Sequence, residues 1–463
     1  MDGVADQAPP SLLRLPARIG IPFHLANAVA MTRSFSIRLL VAHLFVLACF
    51  GQHYAKLRIL DGAPLFTTDL VLLVGLVASF GALTRTKWDL LSKLVLAFVL
   101  VGVAWAASTG LGPIDGVGPK AFSFFVYAGF YFIIRAAAPP DEALWRLLRV
   151  FAMAAAIAVV IGFLQMQSGA PMFGDGDVET TTTGSIRWLP GEFALYALFA
   201  ALVIAVPAIV ERRIDAPRVG ILVLAAVELV LTQHRSGFIS LAVALLATAG
   251  LLGNSTEALK GLLKLLVVAA LGLAVFVWVF GSSHIDDTVN RIAHSSDLSD
   301  ANIDWRLLSW YEVFDGVRDR PWGHGFATWD FLFTANDPLT GSHNSFLDLT
   351  YRVGIAGLLV FLAMPVFLVR DVRRLARETG ARAQLLLVTV CAAMIAFLLF
   401  SAFNVVFESP QMSIVFWVLL GIGGVALERR QVSASSKAAG SPSEAETTAP
   451  TYLASVRAPT WWR

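Results

Sequence analysis

Residues 217–252 read PRVGILVLAAVELVLTQHRSGFISLAVALLATAGLL. As one straight helix this stretch would measure about 54 Å at ~1.5 Å per residue, far more than the ~30 Å hydrocarbon core of a bilayer. Its polar centre is Gln233-His234-Arg235-Ser236. The stretch therefore predicts two short apolar helices that fold back near Arg235, and the chain around it reads as a membrane bundle. Comparable apolar runs lie near 37–55, 63–84, 90–109, 120–138, 145–166 and 190–210, and again near 262–281, 345–369, 384–403 and 412–428. Each approaches the ~20 residues that a helical crossing needs. The expected fold is an all-α polytopic membrane protein of about twelve spans.

Composition agrees. Of 463 residues, 57% are hydrophobic and 15% charged, against the ~25% charged residues of a soluble domain. Mean hydropathy is +0.70. These values exclude a soluble enzyme on a single tether and an intrinsically disordered chain. The net charge of +2 points to no nucleic-acid partner. Cys49 and Cys391 fall inside apolar runs, away from any zinc or redox spacing. The first residues, with Asp2, Asp6, Pro9 and Pro10, do not read as a cleavable signal.

Lys and Arg set the orientation. Arg85, Lys87, Lys93, Arg135, Arg146, Arg149, Arg212, Arg213, Arg218, Lys260, Lys264 and the Arg370–Arg382 cluster fall on one side. That side is expected to be cytoplasmic. The other side, facing the periplasm or exterior, carries only Lys56, Arg58, Lys120, Arg187 and Arg235 in short connections. The expected organisation is a cytoplasmic segment 1–35, nine spans over 36–281, an outer loop 282–344 with short helices, three spans over 345–430, and a disordered cytoplasmic tail 431–463.

Few polar residues are expected on the outer side, so each can be weighed. Arg235 sits at the shared turn of two short helices, where a guanidinium is costly unless it serves an anion. The plain alternatives are a snorkelling interfacial Arg or a pair with Glu228. In Asp300-Ala301-Asn302-Ile303-Asp304-Trp305-Arg306 and onward to Phe314, Asp300 or Asn302 can cap a helix. Leu307, Leu308, Tyr311 and Phe314 then share an apolar face, with Arg306 at its edge. Ser342-His343-Asn344-Ser345-Phe346-Leu347-Asp348 precedes a span. Ser345 and Asp348 read as a capping box, which puts His343 just ahead of a helix N-terminus. There the dipole favours neutral imidazole, a form that can accept a proton; a hydrogen-bonded interfacial His is the bland reading. Pro321-Trp322-Gly323-His324-Gly325 reads as a tight turn, with His324 structural. Arg187 and Glu192 frame the entry to the sixth span, as anion contact or as interfacial anchor. The acidic run Asp286, Asp287, Asp297, Asp300 and Asp304 fits no metal-ligand spacing and reads as a solvated face.

The ordered set resembles the bacterial O-antigen ligase and Wzy-type polysaccharide polymerase superfamily. The residues that carry the likeness are HRSGFISLAVALL at a span start, DWRLLSWYEVFDGVRDRPWGHGF in the outer loop, and SHNSFLDLTYRVGIAGLLVFL into the next span. The likeness is strongest over about 185–370. After Arg187 the sequence GEFALYALFAAL departs from the Asn-containing pattern of many members.

The resemblance implies a GT-C-like fold in the bacterial inner membrane with its site facing the periplasm. It implies transfer of a glycan from an undecaprenyl-diphosphate donor to an acceptor sugar, without cofactor or metal and with inversion. Carried over by position, Arg235 and Arg306 hold the diphosphate and His343 deprotonates the acceptor. Arg187, Glu192, Asn344 and Trp310 are further candidates for substrate contact. A polymerase of exopolysaccharide or O-antigen is placed ahead of a ligase acting on lipid A core. A lipid-linked sugar flippase is the rival from another class, kept open by Glu228 and by Gly421, Gly423 and Gly424 in the last span.

Overall fold

The computed structural model describes residues 23–59, 65–112, 117–168, 179–180, 186–187, 189–211, 215–232, 234–252, 260–261, 263–264, 267, 270, 274, 301–326, 333–334, 337–338 and 342–438. The helices are α1 (Phe23–Ala55), α2 (Thr67–Leu83), α3 (Leu90–Thr109), α4 (Val117–Val126), α5 (Gly129–Ala137), α6 (Asp141–Ser168), α7 (Glu192–Glu211), α8 (Ala216–Thr232) and α9 (Arg235–Leu252). They continue with α10 (Ala301–Asp319), α11 (Ser345–Thr379), α12 (Leu385–Ser401) and α13 (Pro410–Ala438), with a 3-10 turn at Ala381–Gln384. Two minimal antiparallel pairs complete the set: β1 (Glu179–Thr180) with β2 (Ile186–Arg187), and β3 (Phe333–Thr334) with β4 (Asp337–Pro338).

Among the described residues, seven helical stretches are long and apolar enough to cross a membrane: Met31–Ala55, Leu90–Thr109, Gly118–Ala137, Asp141–Gly162, Glu192–Glu211, Ser345–Thr379 and Pro410–Ser433. Thr67–Leu83, Arg235–Leu251 and Leu385–Ser401 are shorter and equally apolar. The protein is a multi-pass membrane protein, and its described residues are almost entirely helical. The run at 262–281 lies almost wholly outside the described residues, as do Asp286, Asp287, Asp297 and Asp300. Two boundaries differ from the sequence reading: the first helix already begins at Phe23, and α13 runs on to Ala438.

Helix α7 sits at the centre, against α6, α8, α9 and α12. It is buried all round, which is why its sequence EFALYALFAALVIAVPAI shows no polar stripe. Helix α13, also deeply buried, packs on α5 and α12. Helices α2 and α3 lie outside, and Leu73, Val77, Phe80, Leu100 and Val103 point away from the bundle. Apolar residues are the right ones there, because lipid replaces water as the solvent. An aromatic cluster of Phe98, Phe124, Phe361, Phe407, Phe416 and Trp417 fills the space between α3, α4, α11 and α13. Its one indole donor is satisfied, Trp417 Nε1 to Phe124 O at 2.7 Å.

The two ends of the bundle differ in chemistry. At one end Arg135 bridges Asp89 and Glu428, while Arg429 and Arg430 both reach Asp141. The other end gathers the starts of α7, α9 and α11, the α12–α13 connection and α10.

Candidate functional site

The first turn of α11 is set by Asn344, not by Ser345. Asn344 Oδ1 accepts the amide protons of Phe346 and Leu347 at 3.1 and 3.2 Å, which makes it the N-cap. The expected Ser345–Asp348 capping box does not form, because tertiary partners claim both side chains. Ser345 Oγ donates to Asn404 O at 2.6 Å and accepts the Val406 amide at 2.7 Å. Asp348 Oδ1 accepts the Ser342 amide at 3.0 Å.

His343 lies directly before the cap, as the sequence reading placed it. Its φ is +50°, a left-handed conformation that costs a non-glycine residue about 1–2 kcal/mol. The loop around it is tied on several sides. Trp310 Nε1 donates to Ser342 O at 2.8 Å, and Ser342 Oγ donates to Asn344 O at 3.0 Å. Trp310 is one helical turn from Arg306 on α10, so the same face that docks on the loop carries Arg306 toward it. Burial, and then the neighbouring Arg306 guanidinium, hold the His343 imidazole down at about 4. Through Trp310 the helix that carries Arg306 is bonded to the loop that carries His343. Side chains on the opposite face of α10, Leu307, Leu308, Tyr311 and Phe314, are exposed.

Arg235 opens α9, half-buried, at the break the sequence requires. The neighbouring Ser236 accepts from Asn404 Nδ2 at 2.8 Å. Asn404 in turn receives the Ser345 hydroxyl. The chain Ser236–Asn404–Ser345 thus ties the helix start that carries Arg235 to the one that follows His343. Glu228 is fully buried, and neither of its carboxylate oxygens has a hydrogen-bond partner, so a hydrogen-bonded pair with Arg235 is not what holds it.

Gly191 abuts the His234 ring closely, bringing the start of α7 to the same end. Glu192 has a different setting from Arg235 and Arg306. Helix α1 is kinked at Gly51, and Glu192 Oε1 accepts the Gln52 amide there at 2.8 Å. Arg187 lies in β2, its backbone opposite Glu179.

The Pro321–Phe326 turn has the glycine conformations read from the sequence: φ is +111° at Gly323 and +83° at Gly325. It latches a break in α11 at Gly354, where φ is +75°. The break frees two carbonyls: Tyr351 O accepts the His324 amide at 2.7 Å, and Arg352 O accepts the Gly325 amide at 2.8 Å. A Cβ on Gly323 would strike Arg352 O and Gly354 N, and one on Gly354 would strike the Trp322 backbone. His324 is structural: it stacks on Tyr351 with ring centroids 4.1 Å apart, and its Nε2 bonds Gly316 O at 2.9 Å.

Two charged residues beneath the loop, Arg352 and Glu408, were not singled out from the sequence. Arg352 donates to Glu408 at 2.8 Å, both buried, and Asp348 is one turn before Arg352. Burial pushes the Glu408 carboxyl up to about 7, against the pull of Arg352. With Ser345, Phe124 and Phe407 these residues line a cavity with room for about one water. The signal available in the sequence was an Arg within an apolar run, which in a membrane is rarely idle. Among the described residues no group of three or more His, Cys, Asp or Glu is placed to hold a metal ion.

Fold and site together define a helical membrane protein with two guanidiniums and an imidazole at one end of its bundle. Residues 220–362 match the family model described as O-antigen ligase, which confirms the resemblance to the O-antigen ligase and Wzy-type superfamily over that segment. The match supports a membrane glycosyltransferase of the ligase and polymerase type in the broad sense. It contains Arg235, Arg306 and His343. No curated protein matches the chain.

Proposed function

We propose that the protein transfers a glycan from an undecaprenyl-diphosphate donor to the hydroxyl of an acceptor sugar, and that it acts as a Wzy-type polymerase of exopolysaccharide or O-antigen. The observation that carries this reading is the Trp310–Ser342 bond that docks the Arg306 helix on the His343 loop, together with the Asn404 link from the helix after that loop to the Arg235 helix.

In this reading Arg235 and Arg306 hold the diphosphate. As the glycosidic bond breaks, negative charge grows on that leaving group, and preorganised guanidiniums in a poorly hydrated site stabilise it. His343 takes the acceptor proton as the acceptor oxygen attacks the anomeric carbon. Direct displacement inverts configuration, and the activated donor supplies the driving force. At rest, burial first and the Arg306 guanidinium second favour the unprotonated imidazole. A bound diphosphate offsets that guanidinium charge and raises the proton affinity of His343 when the acceptor arrives. Arg187 and Glu192 stand at the border of the same end. Trp310 and Asn344 shape the loop that carries His343 and are the further candidates for contact with sugar. The Lys and Arg asymmetry supports a site on the periplasmic side of the inner membrane.

Purified protein with lipid-linked oligosaccharide tests the reading. A ladder of longer lipid-linked products identifies a polymerase. Transfer that requires lipid A core identifies a ligase. Movement of intact lipid-linked sugar between leaflets without a new bond overturns both.

A further inference from the structure

We propose that Asp348 is a positioning residue for His343, acting through the Ser342 peptide that it grips together with Trp310. The inference rests on the reading of His343 as the base. Ser342 is fully buried, its amide is held by Asp348 Oδ1 at 3.0 Å, and its carbonyl is held by Trp310 Nε1 at 2.8 Å. The next residue is His343, in its left-handed conformation. Such a conformation persists only where the surroundings over-determine it, and these two bonds fix the peptide groups immediately before it. Asn344 fixes the chain immediately after it by capping α11. The imidazole is thus carried on a single residue clamped on both sides.

Asp348 is 3% exposed, and a carboxylate so placed needs a use. Pairing with Arg352 is not its nearest engagement, because the Arg352 bridge runs to Glu408 at 2.8 Å. Capping of α11 is not its use either, since Asn344 supplies that. The amide it accepts lies outside the helix, one residue before His343. Asp348 is therefore placed to hold the base, and Trp310 joins the same grip to α10, which carries Arg306. The two groups proposed to act on donor and acceptor are fixed relative to each other through one buried peptide.

The test compares Asp348→Ala, Asp348→Asn and Trp310→Phe with the full-length protein in detergent. Two readouts are used: kcat and KM for lipid-linked oligosaccharide, and the rate of diethyl pyrocarbonate labelling at His343, followed by peptide mass mapping. Asp348→Ala is expected to lower kcat by about tenfold or more while KM stays close to wild type, because small misplacement of a reacting group is felt in the chemical step. His343 is expected to label faster as its loop loosens. Asp348→Asn keeps an oxygen for the Ser342 amide and is expected to restore both readouts. Trp310→Phe, which keeps the ring and loses the donor, is expected to behave like Asp348→Ala and stands in for it if that variant does not fold. Wild-type kcat and labelling in Asp348→Ala or Trp310→Phe overturn the proposal, as does a rise in KM alone. If the wild-type protein transfers no glycan, the functional reading fails, while the labelling rates still decide whether Asp348 holds His343.

Discussion

Asn404 donates its side-chain amide to Ser236 Oγ at 2.8 Å across 168 residues of sequence. Its own carbonyl accepts the Ser345 hydroxyl at 2.6 Å, so one asparagine spaces the start of α9 from the start of α11. Asn404→Ala removes the side-chain half of that link, a hydrogen bond worth about 0.5–1.5 kcal/mol, and leaves the Ser345 bond to the main-chain carbonyl in place. Thermal unfolding in detergent should show the loss. Transfer should fall further than stability does, because the Arg235-to-His343 spacing is no longer fixed. A variant with lowered melting temperature and full kcat would show that the link serves the fold alone.

His343→Ala is expected to reduce kcat by about 10²–10⁴-fold, the usual contribution of a positioned base. Arg306→Ala should lose about 10²–10³-fold by removing stabilisation of the leaving diphosphate. Arg235→Ala should follow Arg306→Ala. Single-turnover assays on protein with an unchanged elution profile check all three, and full activity in any one removes that residue from its role.

The acid side of the pH profile follows from the imidazole. Its value in the free protein is about 4, below the ordinary 6.5. A base must be unprotonated, so kcat/KM should hold through pH 6 and fall only as the pH drops through about 4. Arg306→Gln removes one of the two causes, and the acid limb should move upward. Folding has a linked dependence. Between 6.5 and about 4 the unfolded chain binds a proton that the folded chain does not, so this group lowers stability as pH falls through that window.

Gly354→Ala and Gly323→Ala place a side chain at positive φ against backbone atoms. Each should destabilise the protein by about 1–3 kcal/mol. Gly81→Ala is the control: it lies on α2 with open space beside it and should be close to neutral. Equal melting temperatures for all three would refute the latch.

Arg352→Ala should cost about 3–5 kcal/mol by leaving Glu408 buried without its bridge. The double change Arg352→Met with Glu408→Leu should recover much of that loss, since apolar packing often matches a buried ion pair.

Much of this was legible from local pattern. The break at Arg235 followed from length alone, and the Pro321–Gly325 turn from its glycines. His343 was found because polar residues are scarce at span ends. The capping residue was misread because Asn344 and Ser345 are both able caps in adjacent positions, and only the distant Asn404 and Val406 draw the serine away. Glu408, Arg352 and Asn404 escaped notice for the same reason: each is a lone polar residue between apolar runs, and its use appears only when chain segments 50 or more residues apart meet. Their joint placement is tertiary information that no local period carries.

The interruption at Gly354 makes α11 a jointed rod rather than a rigid one. Its long lower part packs along the bundle, against α3, α12 and α13. The short upper part, with Asp348 and Arg352, is fastened at the joint by main-chain bonds from the 321–325 turn. A change in the angle of the lower part is expected to be taken up at that joint, below the first two turns, leaving the working end aligned.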